Sequence, residues 1–292
     1  MAVLLRIAWR SVSGIVTRVL AERAGAVDRL AGLRRIGIDE ISYRKGQRYL
    51  LVVTCHHTGR VVWAGTERTK QTLSRFFDAL GAERAAALTH VSADGAEFIH
   101  TVVAARAPQA LLCLDPFHVV AWATKALDEA RRALAAQLRH GGRADDAVTI
   151  TNTRWALVTN PQSLSTEQRS TLAGIQATNG PLYRGYLLKE QLRAVFQAGD
   201  PAAAKRLLTG WPAWAKRCRL PAFVKLATTI TKFRQLILNA VEHGLSNARS
   251  EATNTHLRLL TRRSYGISPE SLMAMADLTR GGLCPPLPGR TA

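Results

Sequence analysis

The sequence has few cysteines, and the four it has are too scattered for a disulfide framework or a zinc ribbon. None forms a CxxC pair, so we expect no zinc in this chain. No stretch approaches the roughly 20 apolar residues of a membrane-spanning helix. Arg6 and Arg10 interrupt the apolar start of the chain, and no small-residue cleavage site follows. We therefore expect a cytoplasmic protein with no membrane partner.

Acidic residues are also scarce, since 21 Asp and Glu face 40 Lys and Arg, giving a net charge of +19. Such a charge repels itself in a compact fold unless a polyanion offsets it. Nucleic acid is the leading partner, because neutralised phosphates release counterions and add affinity that does not depend on sequence. The alternative is an arginine-heavy protein of a GC-rich genome or of the ribosome. The first interpretation predicts double-stranded DNA as partner and association with the nucleoid.

Short β-branched runs dominate the segment from 33 to 121. RIGIDEIS, RYLLVVTCH and RVVWAGTE are separated by turn residues and predict an antiparallel meander of three strands. A helix over Thr72–Leu80 that stops at Gly81, a strand LTHVSADG, a helix over Glu97–Arg106 and a strand ALLCLDPFHVV follow. The predicted order is therefore β-β-β-α-β-α-β.

The rest of the chain is predicted to be helical. Residues 122–245 are rich in Ala, Leu, Arg and Lys and predict four or five helices. Residues 246–280 add a polar helix and a helix that opens with Ser268 and Pro269. A Pro- and Gly-rich tail occupies 281–292. At the other end, 1–32 predicts one or two short basic helices, with a possible turn at Ser11–Gly14, similar to part of a helix-turn-helix.

Three acidic residues stand out by position. Asp39 lies within an apolar strand, where a carboxylate is costly to bury without a partner or metal. Asp94 ends a strand and is followed by a glycine. Glu251 belongs to a stripe at helical spacing that includes Asn247 and Asn254. Taken singly, a helix cap or a solvated face explains each one. Together, on this strand order, they match a nuclease site in which carboxylates hold two divalent ions about 3.5–4 Å apart.

Six motifs in order resemble the DDE transposases of the ISL-three insertion-sequence family. They are IGIDEISYRKGQRYLLVVTCHHTGRVVWAG, TLSRFFDALG, VSADG, LDPFHVV, NARSEATN and the run through SYGISPESLMAMADL. The resemblance implies an α/β fold: a ribonuclease-H-like mixed sheet flanked by helices, with a large all-helical insertion before the last catalytic helix. It also implies cutting and joining of DNA at element ends, with Asp39, Asp94 and Glu251 holding two Mg²⁺ or Mn²⁺ ions. We further expect a homo-oligomer on DNA.

The resemblance has two departures. The separation of 157 positions between Asp94 and Glu251 (251 − 94 = 157) is long for a minimal ribonuclease-H fold, although a helical insertion accounts for it. Family members usually carry an N-terminal zinc-binding ribbon and a complete helix-turn-helix, neither of which is recognisable here. We therefore keep a catalytically silent, truncated derivative that binds DNA or inhibits the full enzyme as an alternative. A different ribonuclease-H-like nuclease, such as a resolvase, is a third hypothesis.

Several other residues are weaker candidates. Asp115 and His118 could contribute to the site from the last strand, although a strand-end Asp bonded to backbone is equally plausible. His56 and His57 beside Cys55 favour a turn over a metal cluster. Four tryptophans could stack on unpaired bases, but core packing is more common. Phosphate contacts are predicted for five basic residues, unless these form a merely solvated basic face: Arg44, Lys45, Arg258, Arg262 and Arg263.

Overall fold

The computed structural model of the protein describes residues 8–23, 28–44, 48–245, 255–260, 262 and 268–281. Contacts divide the chain into a sheet unit, Met1–Asp115 with Leu245–Ala292, and a helical unit, Pro116–Gly244. No described helix is both long enough and apolar enough to cross a membrane.

A mixed sheet of five strands forms the centre of the sheet unit. Strands β1 (Arg35–Arg44), β2 (Arg48–Cys55) and β3 (Val61–Thr66) pair antiparallel and confirm the predicted meander. Strands β4 (His90–Ala93) and β5 (Leu111–Leu114) add in parallel on the other side of β1. The spatial order is β3-β2-β1-β4-β5, so β1 is the central strand.

Helices α1 (Trp9–Arg23), α2 (Lys70–Leu80), α3 (Ala82–Ala86) and α4 (Glu97–Arg106) accompany these strands. The Thr69 hydroxyl caps α2 by accepting from the Thr72 amide, and Gly81 ends it at φ 81°, a value that favours glycine. The prediction of a possible turn at Ser11–Gly14 is wrong, because α1 continues through these residues without a break. The short α3 was not predicted.

The helical unit contains eight α-helices rather than the four or five predicted. Two of its breaks, at Thr153 and Phe233, were not predicted, because a helix ends there without Gly or Pro as a signal. The first helix begins at Pro116, so the predicted strand through residue 120 is wrong beyond Leu114. Proline suits the first helical turn, since it has no N–H to leave unpaired there. The helices are α5 (Pro116–His140), α6 (Ala144–Asn152), α7 (Arg154–Val158), α8 (Thr166–Thr178), α9 (Gly180–Gln197), α10 (Pro201–Arg217), α11 (Pro221–Lys232) and α12 (Arg234–Glu242).

The C-terminal part of the chain returns to the sheet unit. Residues 255–260 are helical, and α13 (Pro269–Arg280) begins at Ser268, whose hydroxyl accepts from the Ser271 amide as the sequence predicts. Helix α13 contacts both β3 and α1. A hydrogen bond from Ser13 to Ser271 links the two helices. The basic N-terminal helix is therefore packed against the C-terminal one.

The sheet has a separate apolar cluster on each side. One side, which includes Ile36, Ile38 and Val91, packs with buried residues of α2 and α4. The other side, which includes Ile41 and Val52, packs with Leu257 and with Leu272 and Ala276 of α13. Because side chains alternate along a strand, odd-numbered residues of β1 belong to this second side.

Candidate active site

Asp39 and Asp94 lie at the same level of two neighbouring strands. The pairing of β1 with β4 ends at Gly37 and Ser92, and each aspartate lies two residues beyond its member of that pair. Paired residues of parallel strands face the same side of a sheet, so Gly37 and Ser92 share one side, and Asp94 follows one residue after the end of β4. This is the side that carries Ile41 and is covered by Leu257.

The local bonds of the two aspartates differ. Asp39 lies half-buried on the central strand, and its Oδ1 accepts a hydrogen bond of 2.7 Å from the Glu40 amide. Asp94 Oδ1 accepts from the Ala96 amide at 2.9 Å, which turns the chain into α4. The helix cap expected of a strand-end Asp is not observed, because Ala96 is the N-cap residue of α4 and no side chain caps that helix. An ionised carboxylate has about four lone-pair sites, so one accepted bond leaves it able to bind a metal ion.

A third carboxylate continues the row. The pairing of β4 with β5 ends at Ala93 and Leu114, and Asp94 and Asp115 each follow by one residue. The Asp115 amide donates to the Ala93 carbonyl at 2.9 Å. The Asp115 residue is only 2% exposed, whereas Asp39 and Asp94 are intermediate in burial. Asp115 is therefore at the level of the other two but much less accessible.

His118 does not lie on the last strand, and that expectation is wrong. It belongs to α5, in the helical unit, because the strand ends at Leu114 and the helix starts at Pro116. A strand placement would have required the chain to stay extended through a proline that instead opens a helix.

Glu251, Asn247 and Asn254 lie outside the described residues, as do Lys45 and Arg263. Six residues after Glu251, Leu257 is buried against the side of the sheet that carries Asp39. Of the predicted phosphate contacts that the structure does describe, Arg258 and Arg262 are exposed and four residues apart on helical backbone. Arg44 is the last residue of β1.

Hard oxygen ligands suit Mg²⁺ and Mn²⁺ better than they suit zinc, so the carboxylates on β1 and after β4 fit such an ion chemically. Within the described residues, no group of three His, Cys, Asp or Glu side chains is arranged to hold a metal ion. The described part of the chain therefore supplies two candidate ligands, Asp39 and Asp94, and a complete set would need a further one.

One contact near the aspartates was missed from the sequence. His56 Nε2 and Ser92 Oγ lie 2.7 Å apart, although His56 follows β2 and Ser92 belongs to β4. The hydrogen bond therefore crosses β1, where Gly37 is paired with Ser92. The sequence signal for this contact was the small size of Gly37 and Ser92, which lie two positions before Asp39 and Asp94. His56 lies in the predicted turn, which the hydrogen bond from the Gly59 amide to the Cys55 carbonyl confirms.

Comparison with known proteins gives consistent matches. A family profile described as transposase matches residues 36–276. Two proteins, each a transposase for insertion sequence element IS1557, from two strains of Mycobacterium tuberculosis, are 50% identical over 307 aligned residues. The match covers 98% of this chain and 69% of each relative. The transposase for insertion sequence element IS1001 of Bordetella parapertussis is 29% identical, over 79% of this chain and 57% of its own length. The chain therefore belongs to the DDE transposases of the ISL-three insertion-sequence family.

Proposed function

We propose that this chain cuts and joins DNA strands at the ends of an insertion sequence, with Asp39, Asp94 and Glu251 as its catalytic carboxylates. The observation that carries the proposal is the register of β1 and β4, in which Gly37 pairs with Ser92, two residues before Asp39 and Asp94 respectively. Family membership supplies the reaction class, since the relatives are named as transposases for insertion sequence elements.

We further propose that the fold is ribonuclease-H-like, with the helical unit as an insertion. Two features support this. On one side of the central β1 lie β2 and β3, joined by antiparallel pairing, and on the other side lie β4 and β5, joined by parallel pairing. The helical unit is also one continuous segment, Pro116–Gly244, between two parts of the sheet unit. An insertion starting at Pro116 begins six residues before the predicted boundary at 122.

Divalent Mg²⁺ or Mn²⁺, when bound, would stabilise the negative charge that develops on the attacking and leaving oxygens of the phosphodiester. Asp39 and Asp94 would hold it from the sheet, and Glu251 would supply the further ligand. The protein's own contribution is positioning. Asp39 is fixed on a strand paired on both sides, and Asp94 is fixed by its bond to the Ala96 amide. Rigid backbone supports are what a site needs to hold ligands within tenths of an ångström.

The experiment is cleavage of a supercoiled plasmid that carries the cognate element ends, with Mg²⁺ or Mn²⁺ added. Asp39→Asn, Asp94→Asn and Glu251→Gln should each abolish nicking while duplex binding persists. Asp145→Asn is the matched control, because Asp145 is an exposed residue of α6 and the substitution removes the same charge. Nicking that survives in Asp39→Asn or Asp94→Asn would exclude the proposed carboxylates. Duplex binding with no nicking by the unmodified chain would instead support the silent-derivative alternative.

We propose duplex DNA as the partner and an oligomer on the paired element ends as the working assembly. The net charge of +19 supports the first part, and exposed Arg258 and Arg262 are the described candidates for phosphate contact. Each lost phosphate contact should reduce the slope of log K against log salt by about 0.9 for duplex DNA. The double substitution Arg258→Ala and Arg262→Ala should therefore lower that slope by up to about 1.8. A slope equal to that of the unmodified chain would rule out these two contacts.

A further inference from the structure

The helical unit contains an open cavity of about 690 Å³. Its charged lining residues are three cations, Lys125, Arg154 and Arg193, and one carboxylate, Asp128. That carboxylate is already engaged, since Asp128 accepts from Arg131 at 2.7 Å and lies 3.1 Å from Arg132. It is 3.9 Å from the nearer nitrogen of Arg154, at the limit of an ion pair. The cavity is therefore positively charged.

Arg193, which lines this cavity, is a buried cation whose guanidinium is only partly hydrogen-bonded. The residue is 9% exposed, and its Nε and Nη1 atoms are buried with no hydrogen-bond partner in the described structure. The nearest carboxylate, Glu190, lies 3.3 Å from Nε but without hydrogen-bond geometry, and it is 2.7 Å from Lys189 Nζ. Two buried cations thus share one carboxylate. A guanidinium buried with unpaired donors is costly, and an anion such as a phosphate would offset that cost.

Aromatic surface accompanies the charge. Phe117 and Phe196 line the cavity, and Phe117 is 54% exposed. Arg154, which also lines it, has its Cζ 5.1 Å from the centroid of the neighbouring Trp155 ring, and Trp155 is 61% exposed. Exposed aromatic rings beside cations are the arrangement that binds unpaired bases, because every base has a face on which a ring can stack. The cavity also has a volume typical of small-ligand sites.

We propose that this cavity binds one unpaired nucleotide of a DNA strand, with Arg193 at its phosphate and Phe117 against its base. The inference rests on the proposed function only in taking DNA as the substrate. A paired nucleotide has both of its base faces covered by stacking neighbours, so only an unpaired one could present a phosphate and a base face together.

The test measures the affinity of the full chain, without metal, for three labelled duplexes by fluorescence anisotropy. One duplex is fully paired, one has a single bulged nucleotide, and one has an abasic residue at the bulge. Stacking of an aromatic ring on a base contributes enough binding free energy that the bulged duplex should bind at least about fivefold tighter than the other two. Phe117→Ala and Arg154→Ala should abolish this preference and leave binding of the paired duplex unchanged.

Arg169→Ala is the matched control, since Arg169 is exposed on α8 and does not line the cavity. Arg193→Lys keeps the buried charge but removes the planar donors, and it should also lose the preference while its circular dichroism stays unchanged. Equal binding of all three duplexes by the unmodified chain, or a preference that survives in Phe117→Ala and Arg154→Ala, would overturn the proposal. Displacement of the bulged duplex by an equal concentration of free deoxynucleoside monophosphate would overturn the assignment to a DNA strand.

This test is independent of catalysis, because it uses neither metal nor element ends. If the chain prefers the bulged duplex but fails to nick DNA, the cavity proposal stands and the proposed function is contradicted. If the chain nicks DNA but binds all three duplexes equally, the proposed function stands and the cavity proposal is contradicted.

Discussion

Replacing His56 and Ser92 by alanine, singly and together, measures how strongly the sheet holds the strand that leads to Asp94. The 2.7 Å bond between these side chains crosses the central strand, and Ser92 is fully buried. A hydrogen bond contributes about 0.5–1.5 kcal/mol net to the free energy of unfolding. Each single variant also loses the other contacts of the replaced side chain. Each single variant should therefore lower the free energy of unfolding by about 1 kcal/mol or more. The coupling between the two should be about 1 kcal/mol.

The assay is urea-induced unfolding followed by far-UV circular dichroism, from which the coupling is the double-variant change minus the two single-variant changes. Effects that add within about 0.3–0.5 kcal/mol would show that the bond contributes nothing measurable and would refute the reasoning. Cleavage kinetics give a second readout. Because Ser92 lies on β4 two residues before Asp94, His56→Ala should lower kcat while leaving the Kd for duplex DNA unchanged. A change in Kd alone would assign His56 to DNA binding instead.

Four further predictions concern single residues of the two units. Gly65→Ala should destabilise the protein by about 1–3 kcal/mol, because its new methyl group would lie 2.8 Å from Thr72 Cγ2 and closer still to the Trp63 ring. Gly174→Ala, within α8 with nothing within 4 Å, should stabilise it by about 0.5–1 kcal/mol in the same urea titration. Burial raises the pKa of the Cys113 thiol to about 12, so its peptide should stay unlabelled by N-ethylmaleimide at pH 8 until urea unfolds the chain. Burial lowers the pKa of Lys189, so the unfolded chain holds this proton more tightly than the folded chain does. The free energy of unfolding of the unmodified chain, relative to that of Lys189→Met, should therefore rise as the pH increases toward 10.5. A difference that does not change with pH would contradict this.

Local signals in the sequence were enough to predict most of the sheet unit. The meander follows from short β-branched runs separated by turn residues, and the helix over Glu97–Arg106 has the bounds expected. The end of α2 at Gly81 and the cap of α13 at Ser268 are likewise set by single residues with strong backbone preferences. Each of these features depends on residues within a few positions of one another.

The errors share a different cause. The breaks at Thr153 and Phe233 occur at residues with no intrinsic preference to end a helix, so tertiary packing sets them. Tertiary packing also determines the burial of Lys189, whose ammonium donates a hydrogen bond to the Leu157 carbonyl 32 residues away in the sequence. A periodicity argument assigns a lysine to the surface, because it cannot anticipate a distant carbonyl that satisfies the charge.

The candidate site lies between these two cases. Asp39 and Asp94 could be selected from the sequence around them, but the register of β1 and β4 pairs residues that are 55 positions apart, as Arg35↔His90 shows (90 − 35 = 55). The same register adds Asp115, which the sequence left open between a site residue and a backbone-bonded strand end. Its burial favours the second interpretation. A ligand of a metal that must also bind a DNA phosphate has to be reachable from solvent, and Asp115 is 2% exposed. It also directly precedes Pro116 at the start of α5, the position where aspartate commonly caps a helix. The further ligand that Asp39 and Asp94 need is therefore better sought in Glu251, whose neighbouring segment packs through Leu257 on the same side of the sheet.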